Sequence, residues 1–223
     1  MENVHITGRF DEDLAKIKKR VLEMGALVKQ QLAEATIALG DLSACNVEAL
    51  IAKDRKINGM NKSIAGRAER LIALRQPMAL DLRQALLPIN IASELERIGD
   101  HAKSTAKRAR KIGAGVVPAE YLTVLNEMGD IISTQITDVL TAYENSDIRL
   151  AADVRERDHQ VDERNKKIFN LSVATLQNGP EDAETLMNLV LVSRNFERVG
   201  DHVVNIARHV NQIVTGDDLK ASE

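Results

Sequence analysis

Glu96-Arg97-Ile98-Gly99-Asp100-His101 and Glu197-Arg198-Val199-Gly200-Asp201-His202 are nearly the same hexapeptide, written twice at an interval of 101 residues. Each copy lies inside a long run of helical periodicity and sets two carboxylates four residues apart. Glu96 therefore stands over Asp100, and Glu197 over Asp201, on one helix face. Like charges at that spacing repel by about 0.2–0.5 kcal/mol per pair. Repeating the arrangement at equivalent places points to a cation shared between the oxygens. A second matched segment supports internal duplication: Asp54-Arg55-Lys56-Ile57-Asn58 parallels Asp158-His159-Gln160-Val161-Asp162 at a shift of 104 residues.

A duplicated chain of 223 residues implies two units of about 100 residues each. Its composition is 44% hydrophobic but only 2% aromatic, with Ala, Leu and Ile supplying the apolar bulk, which suits helices better than sheets. Apolar residues spaced by fours and threes from Phe10 through Ile17, Val21, Met24, Val28 and Leu32 to Leu39 predict a first helix with one buried stripe. Asn46 is a good cap for a second helix, which Gln76-Pro77 ends after Arg75. A third runs from near Ala79 to Ile112, kinked at Pro88 and stopped by Gly113 and Gly115. The breaker-rich segment from Gly113 to Pro118 reads as a hinge. Beyond it, helices are expected over about Ala119–Glu144, from a Ser146 cap to Gln177, and from Asn178-Gly179-Pro180 to about Val214. The predicted fold is all-α: two tandem three-helix bundles over residues 1–115 and 116–215, with a frayed tail at 216–223.

The acids fall on the side of their helices opposite the core. Ile91, Leu95, Ile98, Ala102 and Thr105 mark the buried side of the third helix; Phe196, Val199, Val203, Ile206 and Val210 mark that of the last. Two readings stay open. One is a solvated face laced with ion pairs, such as Asp100 with Lys103 or Asp201 with Arg208. The other is an oxygen-rich metal site completed by Asp54 in the first half and by Asp158 and Asp162 in the second. Carboxylate oxygens suit Mg²⁺, Mn²⁺, Ca²⁺ or oxidised iron, whereas one cysteine and five histidines argue against a closed structural zinc site. Gly99 and Gly200 imply a tight helix crossing or a ligand layer. His101 and His202, one residue past the acids, read as interhelical hydrogen-bond partners. Lys103, Lys107, Arg108, Arg110 and Lys111 load the end of the third helix with positive charge, which complements its dipole or offers a patch to an acidic partner.

Several functional classes are disfavoured. A net charge of −3 and almost no aromatics give nucleic acid little to bind, and Cys45 has no partner for a disulfide. Neither a secretory leader nor an 18-residue apolar run is found, so the expectation is a cytoplasmic protein that meets membranes only peripherally, through partners. No phosphate-binding glycine loop and no nucleophile–base pair are evident. The inward Glu-x-x-His pairs of dinuclear oxidases reduce to a single Glu156-Arg157-Asp158-His159. No enzymatic activity is expected.

With both hexapeptides in hand, and with Met78-Ala79-Leu80-Asp81-Leu82-Arg83 and Asn205-Ile206-Ala207 beside them, nearly the whole chain resembles the PhoU family of phosphate-transport accessory and regulatory proteins. The resemblance implies divalent or ferric metal ions (iron, manganese or magnesium) on the outer faces. Their ligands would be Glu96 and Asp100 with Asp54, and Glu197 and Asp201 with Asp158 and Asp162. It also implies a homodimer that bridges the ATPase of the phosphate ABC transporter and a phosphate-sensing histidine kinase, restraining uptake and keeping the phosphate-starvation response off when phosphate is plentiful. A ligand-free helical scaffold, or an accessory of a different anion transporter, is the alternative. Asn58 stands where Asp162 is acidic, Ser104 corresponds to Asn205, and Arg208 occupies a place where the family often has an acid. The first site is therefore expected to bind metal more weakly, with Arg208 serving the second as an internal counter-ion.

Overall fold

The computed structural model describes residues 2–178 and 182–215, with side chains described over 8–177 and 182–212. The tail expected at 216–223 and the Gly179-Pro180 stop lie outside the described residues. Helix α1 (Glu2–Gly40) follows its apolar stripe: Val21, Met24, Val28 and Ala35 are fully buried, and Ile17, Leu32 and Leu39 nearly so. Asp41 then accepts the amides of Ser43 and Ala44 and caps a single 3₁₀ turn, Leu42–Ala44. Asn46 accepts from the amide of Ala49 at 2.9 Å and starts α2 (Val47–Arg75), as a short polar side chain does at a helix entrance. Gln76 closes that helix in the left-handed region at φ 46°. Helix α3 (Ala79–Ile112) has the predicted bounds and continues unbroken through the buried Pro88, ending at Gly113 with φ 93°. Helices α4 (Ala119–Asn145) and α7 (Ala183–Thr215) also lie where expected.

The fifth helix departs from expectation at both ends of its first segment. Ser146 does not cap it; that residue turns left-handed at φ 55° to close α4, and Asp147 accepts the amides of Arg149 and Leu150 instead. A carboxylate one residue further on outcompetes the hydroxyl as acceptor. The helix then breaks, giving α5 (Ile148–Glu156) and α6 (His159–Asn178) around Arg157 and Asp158. No glycine or proline marks this break. Arg157 instead reaches back to Asp138 on α4 at 2.6 Å and to Asp153 at 2.9 Å, fixing the turn from outside the helix.

Helices α1, α2 and α3 pack together, as do α4, α5, α6 and α7, and the two sets meet where α3 crosses α7 and α1 crosses α4. The second crossing shows the duplication directly. Gly25 on α1 faces Leu140 on α4, while Gly129 on α4 faces Thr36 on α1, where an added Cβ would lie 3.0 Å from the threonine. Small residues at equivalent places let both backbones approach. One continuous core results, dominated by Leu, Ile, Val and Ala, with Phe196 the largest of its fully buried side chains. Among the described residues no helix is long and apolar enough to cross a membrane.

Candidate functional site

The two acid clusters occupy equivalent places but are built differently. In the first, Asp54 projects from α2 toward Glu96 and Asp100 on α3, and Lys103 closes the group. Its Nζ donates to Asp54 Oδ2 at 2.9 Å and to Asp100 Oδ1 at 2.6 Å. Burial would lower the Lys103 ammonium, but hydrogen bonds to Asp100 and Asp54 outweigh it and hold its pKa above the usual lysine value. Burial, then the charge of Asp100, raises the Glu96 carboxyl. Asp54 is itself buried, and its Oδ1 and the Oδ1 of Asn58 have no hydrogen-bond partner among the described residues. The ion-pair reading therefore describes Asp100 and Lys103 as the structure has them, with Lys103 supplying the shared positive charge.

The second cluster has no such lysine; Val204 stands at the position matching Lys103. Asp158 lies on the turn between α5 and α6, where Gly200 opens the space for it: a Cβ there would sit 2.5 Å from Asp158 Oδ1. Asp162 joins from α6, Glu197 and Asp201 from α7. Arg194 pairs with Glu197 Oε1 at 2.8 Å, and Arg198 stands 3.9 Å from Glu197 and 3.6 Å from Asp201. These cations sit at the rim. Glu197 Oε2, the oxygen that lies 3.9 Å from Arg198, is buried without a hydrogen-bond partner among the described residues. Burial, then Asp162, Asp201 and Glu197, push the Asp158 carboxyl from 3.8 up to about 6, against a lowering influence from Arg208. Burial and Asp201 likewise raise Glu197. Among the described residues no three His, Cys, Asp or Glu side chains converge closely enough to hold a metal as they stand.

The raised Asp158 carboxyl makes stability depend on pH. Its folded pKa exceeds its ordinary value, so between about 4 and about 6 the folded state binds more protons than the unfolded one, and stability falls as pH rises through that window. In EDTA, Asp158→Asn should raise Tm at pH 7.5 and flatten the profile over that window, as followed by circular dichroism; a lower Tm would show that the carboxylate is a structural hydrogen-bond partner.

Between the clusters lies a polar axis that the sequence reading only half anticipated. His101 and His202, at equivalent positions, meet where α3 crosses α7 with ring centroids 5.5 Å apart. Glu94 on α3 pairs with His202 Nδ1 at 2.7 Å and accepts from Asn205 at 3.4 Å. Burial would raise Glu94, but His202, His209 and Asn205 together bring it down to about 2. Asn195, the counterpart of Glu94 at the 101-residue shift, donates across the same axis to Ser104 at 3.2 Å and Thr105 at 3.4 Å. His202 is thus an interhelical partner, as expected. Glu94 carries no motif; its only signal is that matched positions 94 and 195 face matched positions 101, 104 and 202, 205. The basic end of α3 is largely spent internally: Arg110 pairs with Glu48, Lys111 with Glu184 at 2.7 Å, and Arg108 donates to Asn188 at 3.1 Å.

This architecture has known relatives. A PhoU domain matches twice, over residues 21–109 and 125–210, once on each side of the α3–α4 connection. A phosphate-specific transport system accessory protein PhoU homolog from Caulobacter vibrioides is 34% identical over 96% of this chain and 94% of its own length. A homolog of the same description from Rhizobium meliloti is 32% identical over 97% of this chain and 91% of its own. The crystal structure of PhoU from Pseudomonas aeruginosa superposes with a TM-score of 0.84 at 30% identity, covering 93% of this chain and all of that one. That of the phosphate transport system regulatory protein PhoU from Streptococcus pneumoniae gives 0.87 at 25% identity over 95% of this chain. Two tandem domains, matched end to end in sequence and in fold, place this chain in the PhoU family.

Proposed function

We propose that this chain is a cytoplasmic regulator of phosphate homeostasis that restrains a phosphate ABC transporter and keeps the phosphate-starvation two-component response off when phosphate is plentiful. The observation that carries this reading is the end-to-end match to relatives described as accessory proteins of phosphate-specific transport. The mechanism is contact rather than chemistry: a homodimer engages the transporter's ATPase and a phosphate-sensing histidine kinase, and no catalytic step is assigned.

Metal binding belongs chiefly to the second cluster. Asp158, Asp162, Glu197 and Asp201 supply hard oxygen donors, and the raised carboxyls of Asp158 and Glu197 reflect burial and mutual repulsion that Arg194, Arg198 and Arg208 do not fully offset. A bound divalent or ferric ion would neutralise these acids and tie α6 to α7, which requires the carboxylates to draw together. At the first cluster, Asp54, Glu96 and Asp100 would receive a metal only by displacing Lys103. That built-in cation favours a ligand-free structural role for the first half.

The direct test is affinity purification of the tagged chain from phosphate-replete cells. The transporter ATPase and a histidine kinase should be recovered above a tag-only control. Recovery of neither, from cells where both are expressed, contradicts the adaptor role.

A further inference from the structure

The outer groove between α1 and α2 has features that neither the acid clusters nor the core explain. A cavity of about 600 Å³ is lined on the α1 side by Asp13, Lys16 and Ile17, and on the α2 side by Lys62, Gly66, Arg67, Arg70 and Leu74. A neighbouring one of about 630 Å³, sharing Ser63, extends the groove past Arg20, Glu23, Leu27, Lys56 and Met60. Asp13 engages Lys16 at 3.3 Å and Arg75 at 3.4 Å. Arg20, Lys56, Lys62, Arg67 and Arg70 have no carboxylate partner among the described residues, although the chain as a whole is negative at −3.

Small residues form the floor of the groove. Gly59, Ser63 and Gly66 follow one face of α2, and a Cβ added at either glycine would meet nothing within 4 Å. Glycine inside a helix costs about 1 kcal/mol relative to alanine. Gly99 and Gly200 offset that cost by close packing within the molecule; Gly59 and Gly66 have no such compensation among the described residues. The duplication does not account for them either. At the 104-residue shift the second half has Glu163, Asn170, Leu171 and Ala174 where the first has Gly59, Gly66, Arg67 and Arg70.

We infer that this groove is the docking site for an acidic amphipathic helix of a partner protein. Small floor residues let a helix backbone approach closely. Leu27, Met60 and the 64%-exposed Leu74 offer apolar contact along its length, and the unpaired cations meet the partner's carboxylates. From Lys56 to Arg75 the face runs about 28 Å, the length of a five-turn helix. Asp13 and Glu23 on the α1 wall would repel a uniformly charged chain such as polyphosphate, whereas a helix can turn its uncharged side toward them. The inference deepens the protein-contact part of the proposed function and rests on it.

The test is fluorescence anisotropy on the purified full-length chain, which reads the groove without reference to any regulatory output in cells. The probe is a fluorescein-labelled synthetic peptide of about five helical turns with Glu on one face and Leu and Ala on the other, beside a Lys-for-Glu control. Binding of the acidic peptide alone is expected, weakened by about tenfold or more both in the Arg67→Glu/Arg70→Glu double variant and in Gly66→Leu. All three substitutions are at exposed positions, and circular dichroism verifies folding. No binding, or equal binding by every variant, overturns the inference. Loss on charge reversal but not with Gly66→Leu, together with displacement by polyphosphate, also overturns it in favour of a bare anion groove.

Discussion

Lys103→Ala should destabilise the metal-free protein by about 2–3 kcal/mol, far more than loss of an exposed ion pair. Lys103 Nζ bridges Asp54 and Asp100, and the side chains of Lys103 and Asp54 are only 22% and 10% exposed. Asp54 Oδ1 already lacks a hydrogen-bond partner among the described residues, so removing the ammonium leaves a buried carboxylate without its counter-charge. Glu96, already raised by burial and by Asp100, would be raised further. The same change should open the first cluster to metal. Mn²⁺ should then stabilise the variant more than it stabilises the wild type, because the ammonium that bridges Asp54 and Asp100 no longer competes and Arg97 stands 3.8 Å from Glu96 alone. Urea denaturation in EDTA and in Mn²⁺ reads both effects, and Lys103→Met separates lost charge from lost packing. If methionine restores the stability, the lysine acts through its stem and the counter-ion account is wrong.

Much of the fold was legible because its signals are local. Asn46 and Gln76-Pro77 bound α2, and Gly113 stops α3, through short-range backbone chemistry that is independent of what packs nearby. The break at Arg157–Asp158 was not legible. It depends on Arg157 finding Asp138 on another helix, and no glycine or proline within five residues marks it. Both acid clusters were readable as sets, since helical spacing groups Glu96 with Asp100 and Glu197 with Asp201. Their different electrostatics were not, because the position of Lys103 relative to Asp54 is set by how α2 lies against α3. Glu94 escaped notice for a similar reason: its partners lie 108 and 111 residues away, on α7. The groove cations are interleaved with Glu69 and flanked by Arg55 along α2, and only helix packing sorts them onto one face.

Loss of this gene should switch on the phosphate-starvation promoter in phosphate-rich medium, and the second acid cluster should be required to silence it. Glu197 and Asp201 lie across α7 from Phe196, Val199 and Val203, so replacing both by alanine removes repulsion around Asp158 without opening the core. Helix content should therefore survive while the site loses half of its carboxylates. A transcriptional reporter in a deletion strain, complemented with wild type, with Glu197→Ala/Asp201→Ala or with empty vector, decides the matter. The account predicts a silent reporter only with wild type, and the double variant as active as the empty vector at equal protein level. A reporter unchanged by the deletion would contradict the regulatory role, and full silencing by the double variant would remove the acid cluster from it.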